Sequence, residues 1–168
     1  MKSLAELSDK VAAMLRERGQ TVAVAESSTG GLISASLLAV PGASAYFVGG
    51  SVIYTRESRK QLLGVTAGDV AGLEPLTEAM AAVFAQRARE QLGTTWGLVE
   101  LGAAGPSGTR YGHPPGLSVI AVDGPVRRTV RIESGSAERE ANMWHFTARA
   151  LALLETAVAA GTPASGTG

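Results

Sequence analysis

The chain has 168 residues, of which 45% are hydrophobic, a composition typical of a single globular domain. Lys and Arg total 15 and balance 15 Asp and Glu, so the chain lacks the basic excess that is typical of proteins that bind nucleic acid. We therefore do not expect nucleic acid to be the main partner. The absence of cysteine excludes disulfides, thiolate zinc sites and cysteine nucleophiles. Because the chain has only 2 histidines, we do not expect a histidine-rich metal centre. No apolar run approaches about 18 residues and the N-terminus does not resemble a signal peptide, so we expect a cytoplasmic protein without a membrane partner.

Apolar periodicity and turn residues divide the chain into interspersed helices and strands. Ser3 and Glu6 have the spacing of a capping box, and Gly19 is a natural residue to end the first helix. Gly49 and Gly50 fall inside a predicted strand and indicate a bulge or a close backbone contact. The predicted helices cover residues 4–18, 32–40, 57–63, 78–92 and 137–160. The predicted strands cover residues 21–25, 46–55, 96–101, 117–122 and 126–132.

This order of elements predicts an α/β fold. Asp123-Gly124-Pro125 indicates a hairpin between the last two strands, so the sheet should be mixed, with helices on both faces. We therefore expect a single three-layer α/β/α domain over residues 1–160, followed by a frayed Gly/Ser/Thr/Pro-rich tail over residues 161–168. The last helix is predicted to bury Trp144, Ala148, Leu151, Leu154 and Val158.

Two segments are candidates for ligand binding. Residues 26–31 connect a predicted strand to a helix N-terminus, where free backbone N–H groups and the helix dipole favour an anion, and hydroxyls can donate or act as nucleophiles. The alternative is that Ser28 or Thr29 only caps the helix and the glycines only form a turn; no Gly-Lys-Ser/Thr follows, so the segment is not a P-loop. Residues 102–116 form a long Gly/Pro-rich loop after a strand, which is either a ligand loop or a flexible surface loop.

Two interpretations remain for each of three side chains, two near predicted strand ends and one on the last predicted helix. Tyr54 either hydrogen-bonds a ligand or is a core tyrosine. Glu100 is either an acid/base group or a carboxylate satisfied at the surface. His145, beside Trp144, is interpreted as structural or as part of a site's rim.

Four sequence blocks resemble, in order and spacing, those of the CinA C-terminal domain family. The first, Ala25-Glu26-Ser27-Ser28-Thr29-Gly30-Gly31, is similar to Ala-Glu-Ser-Cys-Thr-Gly-Gly. Residues 41–47 are similar to Pro-Gly-Ser-Ser-Ala-Trp-Phe, and residues 52–65 run from Val-Ile-Tyr to Leu-Gly-Val. The last block is Gly102-Ala103-Ala104-Gly105-Pro106, with Gly116 beyond it. The resemblance extends from about residue 4 to residue 158.

Active members of that family are nicotinamide-nucleotide amidases. The resemblance therefore implies hydrolysis of nicotinamide mononucleotide to nicotinic acid mononucleotide and ammonia, without a metal or organic cofactor. It places the nucleophile on Ser27 and counts Tyr54 among the catalytic residues. It also puts Arg59 where the family has a lysine base. Arg59 stays protonated, so it can orient a phosphate or stabilise an oxyanion but accepts no proton; Lys60 replaces it only if the helix slips in register.

The resemblance also implies a nucleotide site and a homo-oligomer. The candidate ligand-binding residues are Glu26, Ser28, Thr29, Gly30, Gly31, Gly102, Ala104, Gly105, His113 and Arg139. Several positions depart from the family pattern. Leu101 replaces a hydroxyl residue. His113 replaces a lysine and is either a substitute base or a solvated loop residue. Arg139 matches a family arginine only if two residues are inserted, and a second family arginine falls near Met143, which is apolar.

These departures leave two main hypotheses. The first is a serine amidohydrolase for nicotinamide mononucleotide or a related amide. The second is a nucleotide-binding or assembly protein that keeps the fold without hydrolysis, as Arg59 and Leu101 suggest. A third is a structural partner of a larger protein, since the family also occurs fused to another domain; because the domain fills this chain, we expect a stand-alone protein.

Overall fold

The computed structural model describes residues 1–161 and contains a sheet of five strands in the order β2-β1-β3-β4-β5. The strands are β1 (Val22–Glu26), β2 (Phe47–Val52), β3 (Trp96–Ala103), β4 (Leu117–Asp123) and β5 (Arg128–Glu133). The helices are α1 (Asp9–Arg18), α2 (Leu32–Leu38), α3 (Arg56–Leu63), α4 (Glu78–Leu92) and α5 (Arg139–Ala160). Short 3₁₀ turns cover Ala5–Leu7 and Ala43–Ala45.

The sheet is mixed, as predicted. Strand β1 pairs in parallel with β2 and with β3, whereas β4 runs antiparallel to β3 and to β5. The hairpin predicted at Asp123-Gly124-Pro125 joins β4 to β5. Because β1, β2 and β3 are parallel and adjacent, their carboxyl ends meet at one edge of the sheet.

Helices cover both faces of the sheet, which confirms the three-layer α/β/α fold. On one face the core is formed with α1, α2 and α5, and it includes Leu15, Ile33, Trp96 and Leu154. On the other face α3 and α4 pack on the sheet, with Phe84 of α4 fully buried. Residues of β1 and β3 alternate between the two cores, as the period of a strand requires.

The predicted first helix is interrupted. Residues 5–7 form a 3₁₀ turn and α1 begins only at Asp9. The capping-box hydrogen bonds between Ser3 and Glu6 form, but on that turn. Ser8 breaks the helix because its buried hydroxyl donates a 2.5 Å hydrogen bond to the Ser36 carbonyl of α2. Gly19 ends α1 in the left-handed conformation, as predicted.

Strand β2 is shorter than predicted and is irregular. The pairing of β1 with β2 shifts by one residue between Val22 and Ala23, which confirms the bulge that Gly49 and Gly50 indicated. A Cβ atom at Gly50 would overlap the Ser34 hydroxyl of α2. A glycine at this position therefore lets α2 pack directly on the edge strand.

Helix α5 begins at Arg139, two residues later than predicted, and its buried face is rotated. Trp144 and Ala148 are only half-buried, whereas Phe146, Thr147 and Ala150 are buried. Strand β3 extends to Ala103, so the Gly/Pro-rich loop covers residues 104–116. The predicted tail, residues 161–168, lies outside the described residues except for Gly161. Within residues 1–161, no helix has the length and apolar character needed to cross a membrane.

Gly97 on β3 provides a test of how closely α4 packs on the sheet. A methyl group there would overlap the Ala85 carbonyl oxygen and lie 3.0 Å from the Arg89 backbone nitrogen. We expect Gly97→Ala to lower the free energy of unfolding by about 1–3 kcal/mol, as overpacking does in cores. In the matched control Gly68→Ala, the nearest side-chain atom is at 3.6 Å, so the unfolding free energy should hardly change. Urea unfolding measures the free energy of unfolding of both variants. Equal losses in the two variants would contradict the close packing of α4 on Gly97.

Candidate functional site

The site lies where the carboxyl ends of β1, β2 and β3 meet. The strand register places Glu26, the last residue of β1, between Val52 of β2 and Glu100 of β3. Glu26 and Glu100 are both fully buried and lie on the sheet face that α2 and α5 cover. Two carboxyl groups are therefore buried side by side beneath the turn formed by residues 27–31.

Glu26 occupies the N-terminus of α2. Its carboxylate accepts hydrogen bonds from the backbone N–H groups of Gly31, Ile33 and Ser34, at 2.8, 3.1 and 2.9 Å, and from the Ser34 hydroxyl at 2.9 Å. The prediction that these N–H groups are free to bind a ligand is therefore wrong. The anion at this helix N-terminus is a side chain of the protein itself.

Glu100 holds the turn from below. Its Oε2 accepts hydrogen bonds from the backbone N–H groups of Ser27 and Thr29, each at 3.1 Å. Its Oε1 accepts a hydrogen bond from the Ser28 hydroxyl and one of 3.1 Å from the Ser118 hydroxyl. Glu100 is thus a buried group whose hydrogen-bonding capacity is satisfied, and the expectation of a surface carboxylate is wrong.

The two carboxyl groups share one hydroxyl. Thr29 Oγ1 lies 2.7 Å from Oε1 of Glu26 and 3.1 Å from Oε2 of Glu100. Burial raises the pKa of Glu100, and hydrogen bonds from Ser28, Thr29, Ser27 and Ser118 oppose the rise only in part. Glu100 therefore holds a proton to higher pH than an exposed glutamate does.

A cavity of about 180 Å³ opens above this turn. Its lining residues are Ser28, Tyr54, Gly102, Ala103, Ala104, Gly105, Ser107, Gly108, Thr109 and Arg139. Both predicted segments contribute to it, together with a tyrosine that follows β2 and an arginine that begins α5. Tyr54 is 56% exposed, which excludes the core interpretation of this side chain.

Ser27 and Ser28 differ in position. Ser28 lines the cavity and Ser27 does not, although the two residues are almost equally buried, at 5% and 4% exposed. The Ser27 hydroxyl makes no hydrogen bond within residues 1–161 but keeps some solvent-accessible surface. The Ser27 backbone N–H donates to the Glu100 carboxyl group. Gly30 and Gly31 have φ values of +64° and +105°, so they shape the turn through backbone conformation.

Arg139 and Asn142 fix the glycine-rich loop to α5. Arg139 donates a 2.6 Å hydrogen bond from Nη1 to the Gly105 carbonyl and a 3.1 Å hydrogen bond from Nη2 to the Tyr54 hydroxyl. Buried Asn142 donates 2.8 Å and 2.9 Å hydrogen bonds from Nδ2 to the carbonyls of Ala104 and Ser136. The sequence did not single out Asn142; a polar residue on the apolar face of the last helix was the available signal.

Arg59 lies outside this cavity. Its guanidinium stacks 5.4 Å from the centre of the Phe84 ring, and its Nε donates a long, 3.5 Å hydrogen bond to the Ile53 carbonyl. Burial and repulsion from Arg56 lower the pKa of Arg59. Arg59 and the exposed Lys60 line a separate, larger cavity of about 660 Å³ with an apolar floor. Neither side chain is hydrogen-bonded to Ser27 or Ser28 in the described part of the chain.

His113 is held within its own loop. Its Nδ1 is 2.8 Å from the Thr109 hydroxyl, and its backbone carbonyl accepts a hydrogen bond of 3.0 Å from the Thr109 N–H. His113 is half-buried and supports Thr109, which lines the cavity, but does not line it itself. His145 is exposed on α5. Over residues 1–161 there is no group of three or more His, Cys, Asp or Glu side chains that could hold a metal ion.

The fold and the site define a class of protein: a three-layer α/β/α domain with a hydroxyl-rich turn and a glycine-rich loop at the carboxyl edge of its parallel strands. Residues 4–158 match the family model described as the CinA C-terminal domain. The chain therefore belongs to the CinA C-terminal domain family.

Relatives and solved structures agree with this assignment. A CinA-like protein of Parasynechococcus marenigrum is 43% identical over 119 residues, which cover 71% of this chain and 28% of that protein. A CinA-like protein of Synechocystis is 39% identical over 134 residues, covering 80% of this chain and 32% of that one. The chain thus spans about a third of the length of the curated relatives it matches. The crystal structure of competence damage-inducible protein A from Klebsiella pneumoniae has a TM-score of 0.87 at 27% identity, covering 96% of this chain and 100% of its own.

The buried state of Glu100 predicts how stability depends on pH. Because the pKa of Glu100 is raised above its ordinary value of 4.5 in the folded protein, its contribution to stability is complete below about that pH. The contribution is lost as the pH rises through the folded pKa. We expect Glu100→Gln, which cannot ionise, to become progressively more stable relative to the unchanged protein as the pH increases.

Urea unfolding at several values from about pH 4 to about pH 9 measures this difference. Glu90→Gln is the matched control, because Glu90 is exposed on α4. Among the described residues its side chain accepts a hydrogen bond from Gln86 and forms a long, 3.8 Å ion pair with Arg89. The control should follow the unchanged protein. Parallel stability curves for the unchanged protein and Glu100→Gln would contradict the raised pKa.

Proposed function

We propose that the chain hydrolyses the carboxamide of a small phosphorylated pyridine nucleotide, with nicotinamide mononucleotide as the first substrate to test. The products would be nicotinic acid mononucleotide and ammonia. The observation that carries the proposal is the single cavity lined by the Ser28 hydroxyl, the Tyr54 phenol and the Arg139 guanidinium. Membership of the CinA C-terminal domain family and the motif resemblance support the same reaction.

The cavity has the groups that a phosphorylated ligand requires. A guanidinium has five N–H donors, and Arg139 uses Nη1 and Nη2 hydrogens on Gly105 and Tyr54, which orients its plane while leaving other donors free. A planar cation of this kind binds phosphate through paired hydrogen bonds. The cavity itself is small, so the ligand would extend beyond it towards solvent.

Hydrolysis also needs a nucleophile with a proton acceptor. The turn offers two serines: Ser27, which the resemblance favours, and Ser28, which lines the cavity. A serine hydroxyl attacks an amide only when a neighbouring group removes its proton. Arg59 accepts no proton and its guanidinium is stacked on Phe84, so the proton acceptor of this chain must be another group.

A second candidate function is nucleotide binding without hydrolysis. The position and charge of Arg59 favour it, because the residue that stands in place of the family lysine lies in a different cavity from Ser28. Such a protein would keep the ligand contacts of Arg139 and Tyr54 but turn over nothing. Calorimetric titration with nicotinamide mononucleotide distinguishes the two, since binding without ammonia release supports this candidate and release excludes it.

The first test is release of ammonia from nicotinamide mononucleotide by the full chain. The matched control is the double variant Ser27→Ala/Ser28→Ala, which removes both hydroxyls of the turn and whose folding is checked by circular dichroism. We expect turnover by the unchanged protein and none above background by the double variant. Equal rates in the two proteins would show that no serine of this turn takes part.

Arg139 should determine whether the substrate must carry a phosphate. Replacing a charged hydrogen-bond donor removes about 1.5–3 kcal/mol of binding. We therefore expect Arg139→Gln to raise the KM for nicotinamide mononucleotide by about 10- to 100-fold, with little change for nicotinamide riboside, which lacks the phosphate. Arg149→Gln, further along the exposed side of α5, is the matched control. A similar loss for both substrates would contradict phosphate binding by Arg139.

A further inference from the structure

The hydrogen bond between Ser28 and Glu100 joins the cavity to a fully buried carboxyl group. Ser28 Oγ lines the cavity and donates to Oε1 of Glu100, which has no exposed surface. The Ser28 hydroxyl therefore connects the cavity to Glu100. By contrast, the Ser27 hydroxyl makes no hydrogen bond within residues 1–161 and keeps some solvent-accessible surface.

The two oxygens of Glu100 have different surroundings. Oε2 accepts hydrogen bonds from two backbone N–H groups, of Ser27 and Thr29, and from the Thr29 hydroxyl that it shares with Glu26. Oε1 meets the hydroxyls of Ser28 and Ser118, each of which can donate or accept. Oε1 can therefore gain or release a proton while Oε2 keeps the turn in place.

The charged groups around Glu100 come from three elements. Glu26 on β1 reaches it through the shared Thr29 hydroxyl, Arg59 on α3 acts on it at longer range, and Arg139 on α5 lines the cavity above it. Helix α2 has no charged residue. One carboxyl group and two more distant cations are therefore the charged side chains that face Glu100 from these elements.

Gly102 leaves the space that this arrangement needs. A Cβ atom at Gly102 would lie 2.5 Å from Ser28 Oγ and 2.7 Å from Oε1 of Glu100. Any side chain at this position would push the two groups apart. The glycine-rich loop therefore contributes to the Ser28–Glu100 contact as well as to the cavity wall.

We propose that Ser28 and Glu100 are the nucleophile and its general base in this chain, an inference that rests on the proposed amide hydrolysis. Ser28 Oγ forms a bond to the amide carbon while its proton passes to Oε1 of Glu100. The C–N bond then breaks, and the leaving nitrogen takes the proton from Glu100 and departs as ammonia. A water molecule attacks the resulting ester, Glu100 accepts the water proton and returns it to Ser28 Oγ, and the acid is released.

This assignment explains why Arg59 can replace a lysine without loss of a base. The proton acceptor comes from β3 instead of α3, next to the cavity-lining hydroxyl. It also gives Glu100 a role beyond holding the turn. A purely structural role would require only that its hydrogen bonds persist.

Glu100→Gln separates the two roles. The glutamine oxygen can accept from the N–H groups of Ser27 and Thr29, and its NH₂ group can donate to the hydroxyls of Ser28 and Ser118, so the turn should persist without a proton acceptor. We expect this variant to bind nicotinamide mononucleotide as the unchanged protein does and to lose about 100-fold or more in kcat. Glu90→Gln is the matched control and should retain full turnover.

A readout independent of the natural substrate is labelling by a small alkyl fluorophosphonate. An activated serine forms an O–P bond with this reagent and releases fluoride, and peptide mapping identifies the serine. We expect the adduct on Ser28, formed about 100-fold more slowly in Glu100→Gln. Ser28→Ala should lose both labelling and turnover, and Ser27→Ala should lose less turnover than Ser28→Ala.

The outcomes distinguish this inference from the proposed function. Labelling of Ser28 that depends on Glu100, without release of ammonia, would support the pair and reject the nucleotide as substrate. Turnover with the adduct on Ser27, or turnover and labelling that survive Glu100→Gln, would overturn the pair and leave amide hydrolysis standing. Neither labelling nor turnover would overturn both.

Discussion

Two buried carboxyl groups, Glu26 and Glu100, determine the architecture of the carboxyl edge of the sheet. Each lies at full burial beside the other, and an isolated charge in such a place is costly unless hydrogen bonds satisfy it. Glu26 obtains its partners from the N-terminus of α2, and Glu100 obtains its partners from the turn above it. The position of α2 and the shape of the turn both follow from these demands.

The need to satisfy the buried Glu100 carboxyl group with hydrogen bonds also links this group to the cavity. Two backbone N–H groups and the Thr29 hydroxyl satisfy one oxygen of Glu100. The other oxygen is bonded by the hydroxyls of Ser28 and Ser118, the first of which lines the cavity. The burial that makes this carboxyl group expensive to ionise also makes it a better proton acceptor once ionised, since its pKa is raised. Membership of the CinA C-terminal domain family gives the scaffold, while Arg59, which stands where the resemblance puts a lysine, lies against the Phe84 ring.

Much of the fold could be predicted from sequence because its signals are local. Thr77 and Gly93 delimit α4, and its predicted bounds agree with the structure. The errors have long-range causes. Ser8 interrupts the first helix because its hydroxyl bonds to Ser36 in a different element, and Trp144 is half-buried because the packing of α5 selects another face. A local pattern contains no information about such partners.

The sequence by itself determined the elements, the family and the two segments that line the cavity, because spacing, turn residues and motifs are properties of neighbouring positions. Only the tertiary structure decided which serine lines the cavity and which group fills the helix N-terminus. It also decided that Glu100 lies beneath Ser28, because strand register brings together residues that are far apart in the chain. Burial then turns that proximity into a shifted pKa, a property that no single residue carries alone.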